Sequence, residues 1–369
     1  MIKMSVQVPG IYTIEIIYRG IHQRHLARNL ARGIAYAARM AGNVALSYQR
    51  YGDDPERDGS PAKYFVVIAK GASEEVLDAE AARVEPDYVD ASIVLDDSIL
   101  KGVESWAWQG IQPVHLKLRP SGLLIVISKR NPDELIKFIP SRDSPYTLVV
   151  AYGERSIGDF WTFQDDGTVE RVLGAIARVL PNVLSLDDVK KYLGSLDKPS
   201  ERINRALEAY QSLVKLREVK PGEGLPYKYE PPHLPGWKDM MIGAAIPGLK
   251  PNQRNPYFTG GTAKHYRPVI NFDKCIKCSL CWEYCPDSVF DVTPDGYFNP
   301  ALAYCKGCGI CAEVCPVPDT IIMVDEMEFE DGYGKFIDEY KAWKESKEAY
   351  RKWFESLLPK AQIISVRKR

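Results

Sequence analysis

Four cysteines fall within twelve residues in CIKCSLCWEYCP (275–286), and four more in CKGCGICAEVCP (305–316). Both runs read C-x2-C-x2-C-x3-C-P and lie 30 residues apart, so Cys275 matches Cys305 and Cys285 matches Cys315. A repeat of this kind predicts a small module built by duplication, with two halves related by a pseudo-twofold. All eight cysteines lie between 275 and 315, whereas a secreted fold stapled by disulfides scatters them along its length. The spacing therefore points to metal ligation.

The spacing suits a cubane. Three closely spaced thiolates wrap one 4Fe-4S cluster, and the fourth, displaced along the chain before a proline, ligates the other cluster, as in bacterial two-cluster ferredoxins. On that rule Cys275, Cys278, Cys281 and Cys315 hold one cluster, and Cys305, Cys308, Cys311 and Cys285 hold the other. Zinc knuckles are the alternative, but they use four ligands in paired C-x2-C hooks and do not call for the extra cysteines and the proline, twice. Two clusters in one module imply electron transfer. Ile276, Leu280, Ile310 and Val314 beside the thiolates predict a dry shell and a low reduction potential. Trp282, Tyr284, Phe290 and Tyr304 are read as core packing in preference to electron relays.

The rest of the chain must explain why so small a module is attached to so much else. At 369 residues, two or three domains are expected. The 48 basic and 49 acidic residues leave a net charge of -1, which favours neither a nucleic-acid nor a membrane-surface partner. No apolar run approaches the roughly 20 residues of a membrane span. The start MIKMSVQVPG lacks the pattern of a secretory signal, so a cytoplasmic location is expected.

Residues 1–200 alternate strand-like and helix-like stretches, which predicts an α/β domain with a mainly parallel sheet. IYTIEIIYR (11–19) reads as a strand, and residues 22–42, with Leu26, Leu30, Ile34 and Ala41 at helical spacing, as a helix. Further strands are expected at 43–48, 62–70, 91–97 and 123–129, and helices at 169–180 and 201–216. Residues 201–235 read as helix and linker, and 236–330 as an α+β, ferredoxin-like two-cluster domain with an extended lead-in. Residues 331–369 read as a C-terminal docking helix carrying Phe336, Tyr340, Trp343, Tyr350, Phe354 and Leu357.

The segment WKDMMIGAAIPGLKPNQRNPYFTGGTAKHYRPVI ahead of the first run, with IIMVDE after the second, resembles the delta subunit of the 2-oxoacid:ferredoxin oxidoreductases. RYGDDPERDGSPAKYFVVIA, EPDYVDASIVLDDSIL, LRPSGLLIVIS and VLSLDDVKKYL, in that order, are similar to segments of the gamma subunit. The resemblance implies a fused gamma-delta subunit of the pyruvate:ferredoxin oxidoreductase type. It implies a complex that decarboxylates a 2-oxoacid on thiamine diphosphate with Mg2+, held in partner subunits of alpha and beta type, to give acyl-CoA. Electrons would pass through the two 4Fe-4S clusters to an external ferredoxin. In keeping with this, the chain has no GDG motif of the kind that clasps thiamine diphosphate, and no catalytic residue is assigned to it. Pyruvate is the default substrate. An oxalate-type member that does not use CoA, or a ferredoxin-type adaptor of another oxidoreductase, are the alternatives.

One departure from the family stands at the first turn. There the gamma strand runs into a Gly-rich turn, G-R-G-G-Q-G, whereas this chain has YRGIHQRH, keeping Arg19, Gly20 and Gln23. Two readings compete. These residues, with His22, Arg24 and His25, contact the phosphates of CoA, or the turn packs against a partner subunit; the second is preferred. His115, His233 and His265 are read as structural, and GDDPERDG (52–59) as a solvated loop.

Overall fold

A computed structural model of the chain describes residues 10–50, 59–71, 73–81, 84–104, 110–153, 166–231, 236–238, 254 and 259–365. The chain divides into two units. The second takes residues 229–369 with the short stretches 58–60 and 104–112, and the first takes the remainder.

In the first unit the elements run β1 (Ile11–Arg19), α1 (Gly20–Met40), β2 (Val44–Gln49), β3 (Pro61–Ala69), α2 (Glu74–Ala81), β4 (Val89–Val94), β5 (Leu118–Ser128), α3 (Pro132–Leu135), β6 (Tyr146–Tyr152), α4 (Thr168–Val179), α5 (Leu186–Gly194), α6 (Pro199–Ser212) and β7 (Val214–Val219). The seven strands form one sheet in the order β2-β3-β1-β4-β5-β6-β7. β1, β4, β5 and β6 pair in parallel, and these runs of Ile, Val and Leu are buried on both faces, as central parallel strands are. The edges differ from the expected pattern: β2 with β3, β3 with β1, and β6 with β7 are antiparallel. The sheet is mixed, with a parallel centre.

α1 lies on the sheet through Leu26, Leu30 and Ile34, with Ala27, Ala31 and Ala38 between them, all buried. Small residues between the larger ones let the helix axis approach the strands. The helix expected over 201–216 ends at Ser212, and VKLREV becomes β7, the antiparallel edge against β6. The segment read as helix and linker thus completes the first sheet.

In the second unit the order is β8 (Tyr266–Ile270), α7 (Leu280–Glu283), β9 (Phe290–Val292), β10 (Phe298–Pro300), α8 (Ile310–Val314), β11 (Ile321–Asp325), α9 (Glu339–Glu345), α10 (Lys347–Leu357) and β12 (Ala361–Ile364). A three-stranded antiparallel sheet, β12-β11-β8, supports the cysteine loops, and β9 and β10 form a hairpin. Strand alternation sorts its two faces. Ile270, Ile321 and Met323 join the core of the cysteine side, while Val269, Ile322 and Val324 meet Phe354 and Leu357.

The tail is not one helix. Ser346, at φ -153° and ψ 98°, ends α9 and caps α10 by accepting from the Ala349 N–H at 3.3 Å. The chain then returns as β12 against β11. Trp343 and Tyr350 pack against Phe272, at 5.4 and 5.9 Å between ring centroids. The apolar stripe read as a docking face covers this unit's own sheet and core.

Candidate metal centre

Each cysteine run makes its loop with two left-handed residues. These are Lys277 (φ 61°) and Ser279 (φ 65°) in the first run, Gly307 (φ 72°) and Gly309 (φ 80°) in the second. The matched positions adopt the same backbone region in both copies, and a short helix follows, α7 carrying Cys281 and α8 carrying Cys311. Residue type at these positions follows the surroundings. A Cβ on Gly307 would run into the Tyr266 carbonyl oxygen of β8, so only glycine fits. Lys277 is exposed and accepts the strain of the left-handed region.

The loops close two cavities. Cys275, Cys278, Cys281 and Cys315 line one, walled by Ile270, Phe298 and Ile321. Cys305, Cys308, Cys311 and Cys285 line the other, walled by Val289, Phe290 and Met323. Each cavity takes three thiols from one run and the fourth from the other. Among the described residues, no three His, Cys, Asp or Glu side chains stand close enough together to hold a metal ion.

Electrostatics match that donor set. Burial pushes the Cys281 thiol up to about 12 and the Cys305 thiol up to about 11, and raises Cys311 well above its ordinary value. Burial likewise raises Cys275, Cys308 and Cys315. The apolar walls therefore disfavour thiolates unless a positive charge enters with them, and iron supplies that charge. Backbone N–H groups already aim at the sulfurs, from Val289 to Cys285 Sγ at 3.3 Å and from Gly307 to Cys305 Sγ at 3.4 Å. The residues present fit two 4Fe-4S clusters.

Two supports lie far from the motif. Ser365 Oγ accepts from the N–H groups of Thr320 and Ile321 at 2.9 and 3.1 Å and donates to the Val317 carbonyl at 2.9 Å. It thereby clamps the loop after Cys315. Lys264 is buried with its Nζ donating to the Gly261 and Leu302 carbonyls at 2.6 and 3.0 Å. Neither residue carries a sequence signal, since its neighbours come from elsewhere in the chain.

Several expectations change. Ile276 is 63% exposed and Ile310 37%, although each lines its cavity, so the dry shell comes chiefly from the buried wall residues named above. Phe290 is core, but Trp282 and Tyr284 are 47% and 59% exposed and do not pack inside. Arg19 is buried, with Nε donating to Asp96 at 3.2 Å and Nη2 to Ser98 Oγ at 2.7 Å. Gln23 accepts from the Arg19 N–H at 2.8 Å and donates to the Leu95 carbonyl at 3.3 Å, and Gly20 is buried at the start of α1. These residues tie β1 to the end of β4, and an anion would reach Arg19 only by displacing Asp96. Arg24 and His25 are exposed. His115 is buried, its Nε2 2.7 Å from the Pro140 carbonyl, and burial pulls it down to about 4. His233, residues 52–58 and most of the lead-in between 239 and 258 lie outside the described residues.

The family model of the 4Fe-4S dicluster domain matches residues 268–323. Pyruvate synthase subunit PorD of Thermotoga maritima is 41% identical over 98 residues, 26% of this chain and 93% of that protein. The delta subunit of NADH-dependent phenylglyoxylate dehydrogenase of Aromatoleum evansii is 46% identical over 56 residues, 15% of this chain and 59% of that one. The solved structure of pyruvate oxidoreductase subunit PORC of Thermotoga maritima matches 56% of this chain and 98% of its own, at 19% identity and a TM-score of 0.39. With a 41% identical relative spanned almost end to end, the chain belongs to the family of two-cluster, PorD-type delta subunits of the 2-oxoacid:ferredoxin oxidoreductases.

Proposed function

We propose that this chain is the electron-transfer subunit of a 2-oxoacid:ferredoxin oxidoreductase, with a delta module fused behind a gamma-type unit. The observation that carries this reading is the pair of four-thiol cavities, each completed by a cysteine from the opposite run. A 4Fe-4S cluster, when bound, takes up and releases one electron at a time. Around it the chain's own residues do the rest. Ile270, Phe298 and Ile321 on one side, and Val289, Phe290 and Met323 on the other, exclude water. Exposed Cys278 and Cys308 mark the edges where a donor or acceptor can approach.

Electrons come from thiamine diphosphate with Mg2+ in partner subunits of alpha and beta type, and they leave to an external ferredoxin. Pyruvate is the substrate proposed. The engagement of Arg19 with Asp96 favours a first unit that packs against those partners and leaves CoA to other chains. The test is EPR on the complex purified anaerobically through this chain, after adding pyruvate, a branched-chain 2-oxoacid, 2-oxoglutarate or oxalate, each with and without CoA. Pyruvate with CoA is expected to reduce both clusters. If dithionite reduces them and no 2-oxoacid does, the reading gives way to an adaptor of a different oxidoreductase.

A further inference from the structure

The two thiol sets differ in the charge placed beside them. Lys264 is 1% exposed and follows the 3-10 turn Gly261–Ala263. Its Nζ donates to the Leu302 carbonyl at 3.0 Å, and the same oxygen accepts from the Cys305 N–H at 3.2 Å. The Gly261 carbonyl, at 2.6 Å, and the Phe336 ring, 3.9 Å from Nζ to centroid, are further partners of an ammonium. The cation is thus one shared carbonyl away from the first ligand of the second run.

Other charges face the same set. Lys306 and Asp287 line the second cavity, and Asp287 acts on Cys308. Glu326 acts on Cys305, but it is tied to the buried Arg267 guanidinium, which donates from Nε at 2.9 Å. No charged side chain is among the described residues that line the first cavity, and Lys277, which acts weakly on Cys275, is exposed, with Nζ on the Asp295 carbonyl at 2.7 Å.

Gaining one electron adds one negative charge to a cluster and its four thiolates, with no proton needed to balance the step. A buried cation stabilises that added charge far more than an exposed one does, because little water screens it. From this asymmetry we infer that Lys264 sets the higher reduction potential of the pair on the cluster held by Cys305, Cys308, Cys311 and Cys285, so that this cluster is where a single electron rests. The inference rests on the ligation read above, and its test separates the two.

The measurement is an EPR-monitored redox titration of the full chain in its complex, with dithionite as reductant. Wild-type protein is expected to give two reduction waves. Lys264→Met should move the upper wave down by at least tenfold in the oxidised-to-reduced ratio at fixed potential, about 59 mV for a one-electron couple, and leave the lower wave in place. Lys264→Gln, which keeps a donor for the carbonyls without the charge, should do the same, and Lys264→Arg should restore the upper wave. Unmoved waves, or movement of the lower one, overturn the inference. A check that leaves Lys264 untouched is Cys285→Ser, which must alter the signal of the upper wave; alteration of the lower wave overturns it equally. Wild-type protein with no cluster signal at all defeats the ligation itself.

Discussion

The two cysteine runs share one spacing and one backbone, yet they sit in different surroundings. The first run is the outer one, with Ile276 standing in solvent and left-handed turns at Lys277 and Ser279. The second is pressed against β8, with glycine where the Tyr266 carbonyl approaches, Cys305 and Cys311 buried and the Lys264 ammonium beneath it. Behind Ile270, which lines the first cavity, stands a carboxyl instead. Glu339 is fully buried and accepts from the Ile270 N–H at 2.9 Å and the Tyr350 hydroxyl at 2.8 Å. Duplication thus supplied the ligands twice, and the unduplicated remainder of the unit made the two sites unequal.

The largest test of this comparison is Cys285→Ser. If each cavity borrows its fourth ligand, iron should fall from roughly eight to roughly four atoms per chain, and the cluster lost is that of the second run although Cys285 belongs to the first. Iron analysis with EPR reads this, and loss of the other cluster would break the pairing. Next comes Gly307→Ala, which adds a Cβ both at positive φ and against Tyr266. It should cost roughly 2–4 kcal/mol, while Lys277→Gly at the matching position should gain about 0.5–1 kcal/mol by relieving the left-handed strain. Equal effects in denaturant unfolding would show the two loops to be alike.

The carboxyl gives a test by pH. Burial pushes Glu339 up to about 7 from an ordinary 4.5, against the pull of the Ile270 N–H and the Tyr350 hydroxyl. The folded unit therefore holds this proton more tightly than the unfolded chain. Its contribution to stability is complete below about 4.5 and is lost as pH rises through about 7. Glu339→Gln should remove that slope and make the unit more stable at pH 8 by on the order of 2 kcal/mol, as read by urea unfolding across pH. An unchanged slope would place the titration elsewhere. The smallest effect is Ile276→Ser, which should stay within about 0.5 kcal/mol, whereas Phe290→Ala, in the wall of the second cavity, should cost about 3–5 kcal/mol.

What could be read from the sequence was local. Ligand spacing is written within each run, and the periods of Ile11–Arg19 and of Leu26, Leu30 and Ile34 mark β1 and α1 before any contact is known. VKLREV reads from sequence as the end of a helix, VKL, running into a linker, REV, because alternating apolar and charged residues fit a helix end as well as an edge strand. The tail's stripe has helical spacing on both sides of Ser346, so periodicity could not reveal the break that the serine caps. Arg19 reads as a free cation until Asp96, 77 positions on, is seen beside it. Lys264 and Ser365 have meaning only through Leu302 and Val317, which no local pattern connects to them.

Ser365 also fixes an order in time. The loop it clamps, between Cys315 and Ile321, forms one wall of the first cavity, yet the serine lies fifty positions after Cys315 in the chain. At about 5–20 residues per second, synthesis leaves several seconds in which all eight thiols exist but that wall has nothing to hold it. Iron cannot be enclosed on the first side as the cysteines emerge. Whatever delivers it must either protect the nascent thiols or arrive afterwards, and in that interval the outer site is the one open to oxygen.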